Sequence, residues 1–196
     1  MTKDSPIDLA KSGKTDSLDT DIIPLEVERE LRKSGWSSRP TELTTEWFVV
    51  LNPKYIPFEL REELYNQIDS LEIIKMLNES HLTPAFGLIP KGFYGYIDKK
   101  INIPRKHSTY KGKKITFKLD YVETSEFEKK IAFYLKNKWT SKNVEVIPNG
   151  LSRGDRLTRM FTKVAEATIG KKGTDYPDGY SILTYFKGKY EANYFH

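Results

Sequence analysis

Between Lys114 and Tyr121, apolar and polar side chains alternate without a slip: Ile115, Phe117, Leu119 and Tyr121 against Lys114, Thr116, Lys118 and Asp120. Successive residues of a β-strand face opposite ways, so this stretch reads as a strand with one face in a core and Lys114 and Lys118 on the other. The residues after it are also patterned. Ser125 with Glu128 is a capping-box signature, and Phe127, Ile131, Tyr134, Leu135 and Trp139 then recur at helical spacing. Asn143 to Ile147 (NVEVI) returns as a short strand, and Pro148, Asn149 and Gly150 turn the chain. Ser152 caps a further helix. On it Leu157, Phe161, Val164 and Thr168 gather on one side and Arg156, Arg159 and Lys163 on the opposite side, with Gly170 as its stop.

The flanking segments are less regular. Trp47 to Leu51 (WFVVL) is short and β-branched, the mark of a buried strand, and Pro57 opens a helix whose Leu60, Leu64, Ile68, Leu71 and Ile74 face inward. His81 to Ile89 reads as an irregular strand with Pro84 at an edge or bulge, and FYGYID and INI as short strands leading into a loop or hairpin tip over Pro104 to Lys113. Near the end, Tyr180, Ile182, Thr184 and Phe186 alternate with Ser181, Leu183 and Tyr185; Lys187-Gly188 then turns into a second strand through Tyr194. At the other end, Asp4, Asp8, Asp16, Asp19 and Asp21 stand among Ser, Thr, Gly and Lys with little to bury. The expected organisation is a flexible N-terminal arm, residues 1–44, with a short marginal helix at about 24–34. A single α+β domain is expected over 45–196, with a mixed or antiparallel sheet of five to seven strands and three helices.

Composition limits the chemistry. With no cysteine there are no disulfides, thiolate metal sites or cysteine nucleophiles, so twelve tyrosines and ten phenylalanines supply much of the packing. There is no HExxH, paired-histidine or EF-hand pattern, so neither a metal nor a cofactor is expected. No run approaches the roughly 18 apolar residues of a membrane span, and the start lacks the apolar stretch of a secretory signal. The protein therefore reads as intracellular, cytoplasmic or nuclear, with no membrane partner.

Charge is concentrated. Lys99, Lys100, Arg105, Lys106, Lys111, Lys113, Lys114 and Lys118 fall within twenty residues that hold no acid, on a chain whose formal net charge is only +5. Like charges so close repel, which points to an anion that meets them or to a solvated loop that keeps the protein in solution. Lysines on a strand face and loop suit the regular charges of a nucleic-acid backbone, and Phe93, Tyr94, Tyr96 and Tyr110 offer rings for unpaired bases. Arg156, Arg159 and Lys163 form either a second basic stripe beside that patch or simply the wet face of an amphipathic helix.

Histidine is scarce, and two of the three share a spacing: His81-Leu82-Thr83 and His107-Ser108-Thr109. The order strand, helix, HLTPAFG from Trp47 to Gly87 resembles the first third of the two-histidine phosphoesterase superfamily. That resemblance implies that, of His81 and His107, one takes a proton and the other gives one as a phosphodiester is cut, while Thr83 and Thr109 hold the phosphate. Three functions are thus in play. The leading one is a non-enzymatic basic module that binds a nucleic-acid backbone or other polyanion with little sequence specificity. The alternatives are a structural subunit of a larger viral or ribonucleoprotein assembly, whose N-terminal arm has a protein partner, and the two-histidine enzyme.

Overall fold

The computed structural model describes residues 6–18, 23, 25–38, 45–79, 82–99, 110–173 and 178–184. The chain divides into two compact units. The first comprises Met1–Glu42 with Asn78–Leu82. It holds helices α1 (Pro6–Lys11) and α2 (Leu25–Lys33), where the sequence reads as an arm with one short helix. Ala10 and Leu31 are buried, and Lys11 pairs with Glu30 at 2.7 Å. Gly35, at φ 91°, ends α2 with the paired bonds of a Schellman motif, Trp36 N–H to the Leu31 carbonyl and Gly35 N–H to the Arg32 carbonyl.

The second unit, Leu43–Leu77 with Thr83–His196, carries the sheet. In chain order it runs β1 (Thr45–Leu51), α3 (Phe58–Gln67), α4 (Ser70–Leu77), β2 (Ile115–Val122), α5 (Glu126–Trp139), β3 (Val144–Leu151), α6 (Arg153–Phe161), β4 (Ala167–Gly173) and α7 (Tyr180–Leu183). The strands lie in the order β1-β4-β2-β3. β2 is parallel to both β3 and β4, while β1 is antiparallel to β4. Helix α5 packs on the face built from Phe117, Leu119, Val146 and Ile169. There the Phe117 and Trp139 rings lie 6.3 Å apart, and Trp139 donates its indole N–H to the Leu64 carbonyl, fastening α3. Helix α6 covers the opposite face, above Asp120 and Thr168.

The expected sheet of five to seven strands with three helices is therefore corrected to four strands and seven helices among the described residues. The physical reasons are local. Within residues 82–98, Gly92 at φ 94° and Gly95 at φ 90° take the left-handed conformation of turns, which no strand follows. The alternation from Tyr180 is overridden by Asp178, whose carboxylate accepts from Tyr180 N–H and whose carbonyl accepts from the Ser181 hydroxyl, so α7 starts there. The continuous helix expected from Pro57 breaks because Asp69 accepts from Leu71 and Glu72 N–H and caps α4 separately. Thr168 and Gly170, expected at the end of α6, belong to β4. The INI strand and the hairpin beyond Thr184 lie outside the described residues.

Candidate functional site

The centre of the sheet is nearly split. β1 and β4 pair along their whole length, as do β2 and β3, but β2 and β4 share only two register pairs, Leu119 with Ala167 and Asp120 with Thr168. Strand backbone left without a partner must find a bond elsewhere. Below the pairs, Glu166 accepts from Lys118 N–H; above them, Glu128 accepts from Val122 N–H at 2.7 Å, and Arg156 donates through Nη1 to the Ile169 carbonyl. Three side chains thus stand in for ladder bonds, and beyond Asp120 the strands separate.

This separation opens at the carboxyl ends of the parallel strands, where open α/β sheets receive ligands. The first turns of α5 and α6 reach the same end, each capped by a serine: Ser125 accepts from Glu128 N–H and Ser152 from Asp155 N–H. Trp47 at the start of β1 lies 4.8 Å from Phe127 on α5, and Lys171 on β4 stands 5.5 Å from the Trp47 ring centroid. Burial holds the Lys171 ammonium below the ordinary lysine value. Burial also pushes Glu128 up, against the pull of the Val122 N–H and the charges of Arg156 and Arg153, and raises Glu46 to about 7. The crevice can accept an apolar or aromatic group against Trp47 and Phe127, and polar groups beside Lys171 and Arg156.

The residues singled out from the sequence do not converge here. Lys99, Lys111, Lys113, Lys114 and Lys118 are exposed, and Lys114 pairs with Glu145 at 2.9 Å. Thr83 is exposed as well. Lys100, Arg105, Lys106, His81, His107 and Thr109 lie outside the described residues. The α6 stripe is reversed. Arg156 is buried, Arg159 reaches the fully buried Asp120 at 2.7 Å and Lys163 sits in the left-handed turn at φ 59°, whereas Phe161 and Val164 are exposed. The guanidinium groups turn inward because Asp120 and the Ile169 carbonyl are acceptors under the helix; Asn149 completes the cluster with a 2.6 Å bond to Asp120.

Sequence reasoning missed β4 and with it the crevice. The run Ala167-Thr168-Ile169-Gly170, with two β-branched residues after a turn, carries a strand signal that the helical spacing of Val164 and Thr168 concealed. Glu128 was readable only as half of a capping box, and nothing local marks it as a partner of Val122.

No family model matches the chain, and no curated protein matches it either. Solved structures do. The chain is similar to Listeria monocytogenes OppA bound to peptide, with TM-score 0.75 and 15% identity over 97% of this chain and 42% of that one. It is similar also to Haemophilus influenzae OppA in complex with RPPGFSPFR, with TM-score 0.79 and 18% identity over 96% and 41%. The Escherichia coli murein tripeptide binding protein MppA matches with TM-score 0.69 and 19% identity over 87% and 37%. The likeness is one of fold, and the chain spans less than half the length of these proteins. It corrects the functional expectation: the fold is that of peptide-binding proteins, not of a basic nucleic-acid or polyanion module, an assembly subunit or a two-histidine enzyme. The dense lysines alone carried the polyanion expectation, and two of the arginines added to them are spent inside the fold.

Proposed function

We propose that this chain binds short peptides in the crevice at the carboxyl ends of β2, β3 and β4. The observation that carries the reading is the fold match over nearly the whole chain to proteins described as binding peptides, such as the RPPGFSPFR complex. The local chemistry supports it. A peptide presents side chains of mixed polarity with regularly spaced N–H and C=O groups, and the crevice offers the tilted Trp47 and Phe127 rings beside the backbone of two diverging strands. The chain spans about two-fifths of the length of these neighbours, so the proposal is one about this chain's own crevice.

Isothermal titration with RPPGFSPFR and with a pentapeptide of alanines tests this, with a single-stranded oligonucleotide as control. Saturable heat with a peptide at a Kd below about 1 mM is expected, and Trp47→Ala weakens it about tenfold or more, since aromatic anchors dominate such contacts. Absence of peptide binding up to that concentration overturns the reading, whether or not the oligonucleotide binds.

A further inference from the structure

A buried cation at the head of the crevice has a bond left unmade. Arg156 is only 9% exposed, and its Nε, fully buried, meets no acceptor among the described residues. The guanidinium is held in place because Nη1 is spent on the Ile169 carbonyl, where β4 has left β2. In a planar guanidinium Nε and Nη2 share the remaining edge, which is the fork that grips a carboxylate through two parallel bonds. An unmade bond on a buried charged group is costly, so such an edge persists where something else completes it.

No described residue on the neighbouring elements does so. Glu128 of α5 is close enough for Arg156 to draw its titration downward, but its carboxylate serves Val122 N–H and the two side chains form no ion pair. Asp120 of β2 is bound by Arg159 and Asn149, Asp155 of α6 accepts from the Ser152 hydroxyl, and Glu166 before β4 holds Lys118 N–H. Each of these acids is engaged, so among the described residues no carboxylate is left to complete the edge.

We propose that the Nε edge of Arg156 is a carboxylate-binding subsite, which makes peptides bearing a carboxylate at that point the favoured ligands. The inference rests on the peptide-binding reading above. The carboxylate comes from either of two sources, the peptide's own C-terminus or an Asp or Glu side chain.

Three pentapeptides separate these: all-alanine with a free C-terminus, the same peptide amidated, and an amidated peptide with a central glutamate. Against the wild-type chain, one carboxylate-bearing peptide should bind about ten- to a hundredfold tighter than the neutral amide, the range that charge-assisted hydrogen bonds contribute. Preference for the free acid identifies the C-terminus, and preference for the glutamate peptide identifies a side chain. Arg156→Lys keeps the charge but removes the fork; in that variant the preferred peptide should bind no better than the amide does. The Nε–H resonance of Arg156 in the wild-type protein should shift on adding the preferred peptide and stay put with the amide, a readout that does not depend on the variant's folding. Equal affinity for all three peptides, or a preference that survives Arg156→Lys, overturns the subsite and leaves peptide binding standing. Failure of every peptide to bind overturns both.

Discussion

Asp120 is the place where the fold can be tested most sharply. Its carboxylate is fully buried, accepts from Asn149 at 2.6 Å and Arg159 at 2.7 Å, and so ties α6 to the middle of the sheet. In Asp120→Ala both bonds disappear, and charge-assisted bonds contribute about 1.5–3 kcal/mol each. Breaking a fully buried pair costs about 3–5 kcal/mol, chiefly through the charge left behind. Here the surviving Arg159 side chain is 29% exposed and can rehydrate, which places the loss near the lower end, about 3 kcal/mol. Urea unfolding followed by circular dichroism measures it, provided the denaturant slope is unchanged. Arg159→Met alone strands the Asp120 carboxylate in the interior and should be at least as damaging. The double variant should then be more stable than the sum of the single losses by about 1 kcal/mol or more. A loss below about 1 kcal/mol for Asp120→Ala, or strict additivity in the double variant, would refute the reasoning and return Arg159 to the solvent face that its spacing suggested.

Two other predictions concern the β1–β4 half of the sheet. A methyl group at Gly170 meets the Phe48 ring of the paired strand closer than van der Waals contact allows, so Gly170→Ala should cost about 1–3 kcal/mol by overpacking; Phe48→Leu in the same chain should recover part of it in the same unfolding assay. Glu46 titrates near 7 rather than at the ordinary 4.5 because burial disfavours its anion. The folded state thus binds the proton more tightly than the unfolded chain, so stability from this residue is full below about pH 4.5 and is lost as pH rises through about 7. Unfolding across that window should show a fall that Glu46→Gln removes, and an unchanged slope in the variant would exclude Glu46 as its source.

The strand β2 and helix α5 were legible because their patterns are local. Phe117, Leu119 and Tyr121 are buried and Thr116 and Lys118 exposed, as alternation requires, and Ser125 accepts from Glu128 N–H as its cap. The capping box closes differently from the usual reciprocal form: Glu128 turns its carboxylate to Val122 N–H in the adjoining strand. Asp120 breaks the alternation for a reason equally hidden from a linear reading, since α6 lies over it and supplies Arg159. Helical spacing did place Arg156 and Arg159 near one face. What it does not carry is the sign of that face: a helix buries its arginines when the acceptors beneath them are a carboxylate and a strand carbonyl, and these lie 39 and 13 residues away in the chain.

The same long-range dependence accounts for the crevice. A parallel strand pair with a full ladder leaves no backbone to be answered and no room between the strands; β2 and β4 stop after two pairs, so each departing strand needs side-chain partners. Those partners have to be polar, long and buried, and glutamate and arginine meet the need at Val122 and Ile169. Bringing charge into the sheet in this way has a cost, which is why such residues are rare in cores unless something is gained. At Glu166 and Glu128 the gain is a satisfied backbone N–H. At Arg156 the backbone bond uses Nη1 of the guanidinium, and the buried Nε meets no acceptor among the described residues. Replacing Arg156 with an apolar residue of similar length should therefore leave both halves of the sheet paired while abolishing whatever discrimination the crevice shows between charged and neutral ligands.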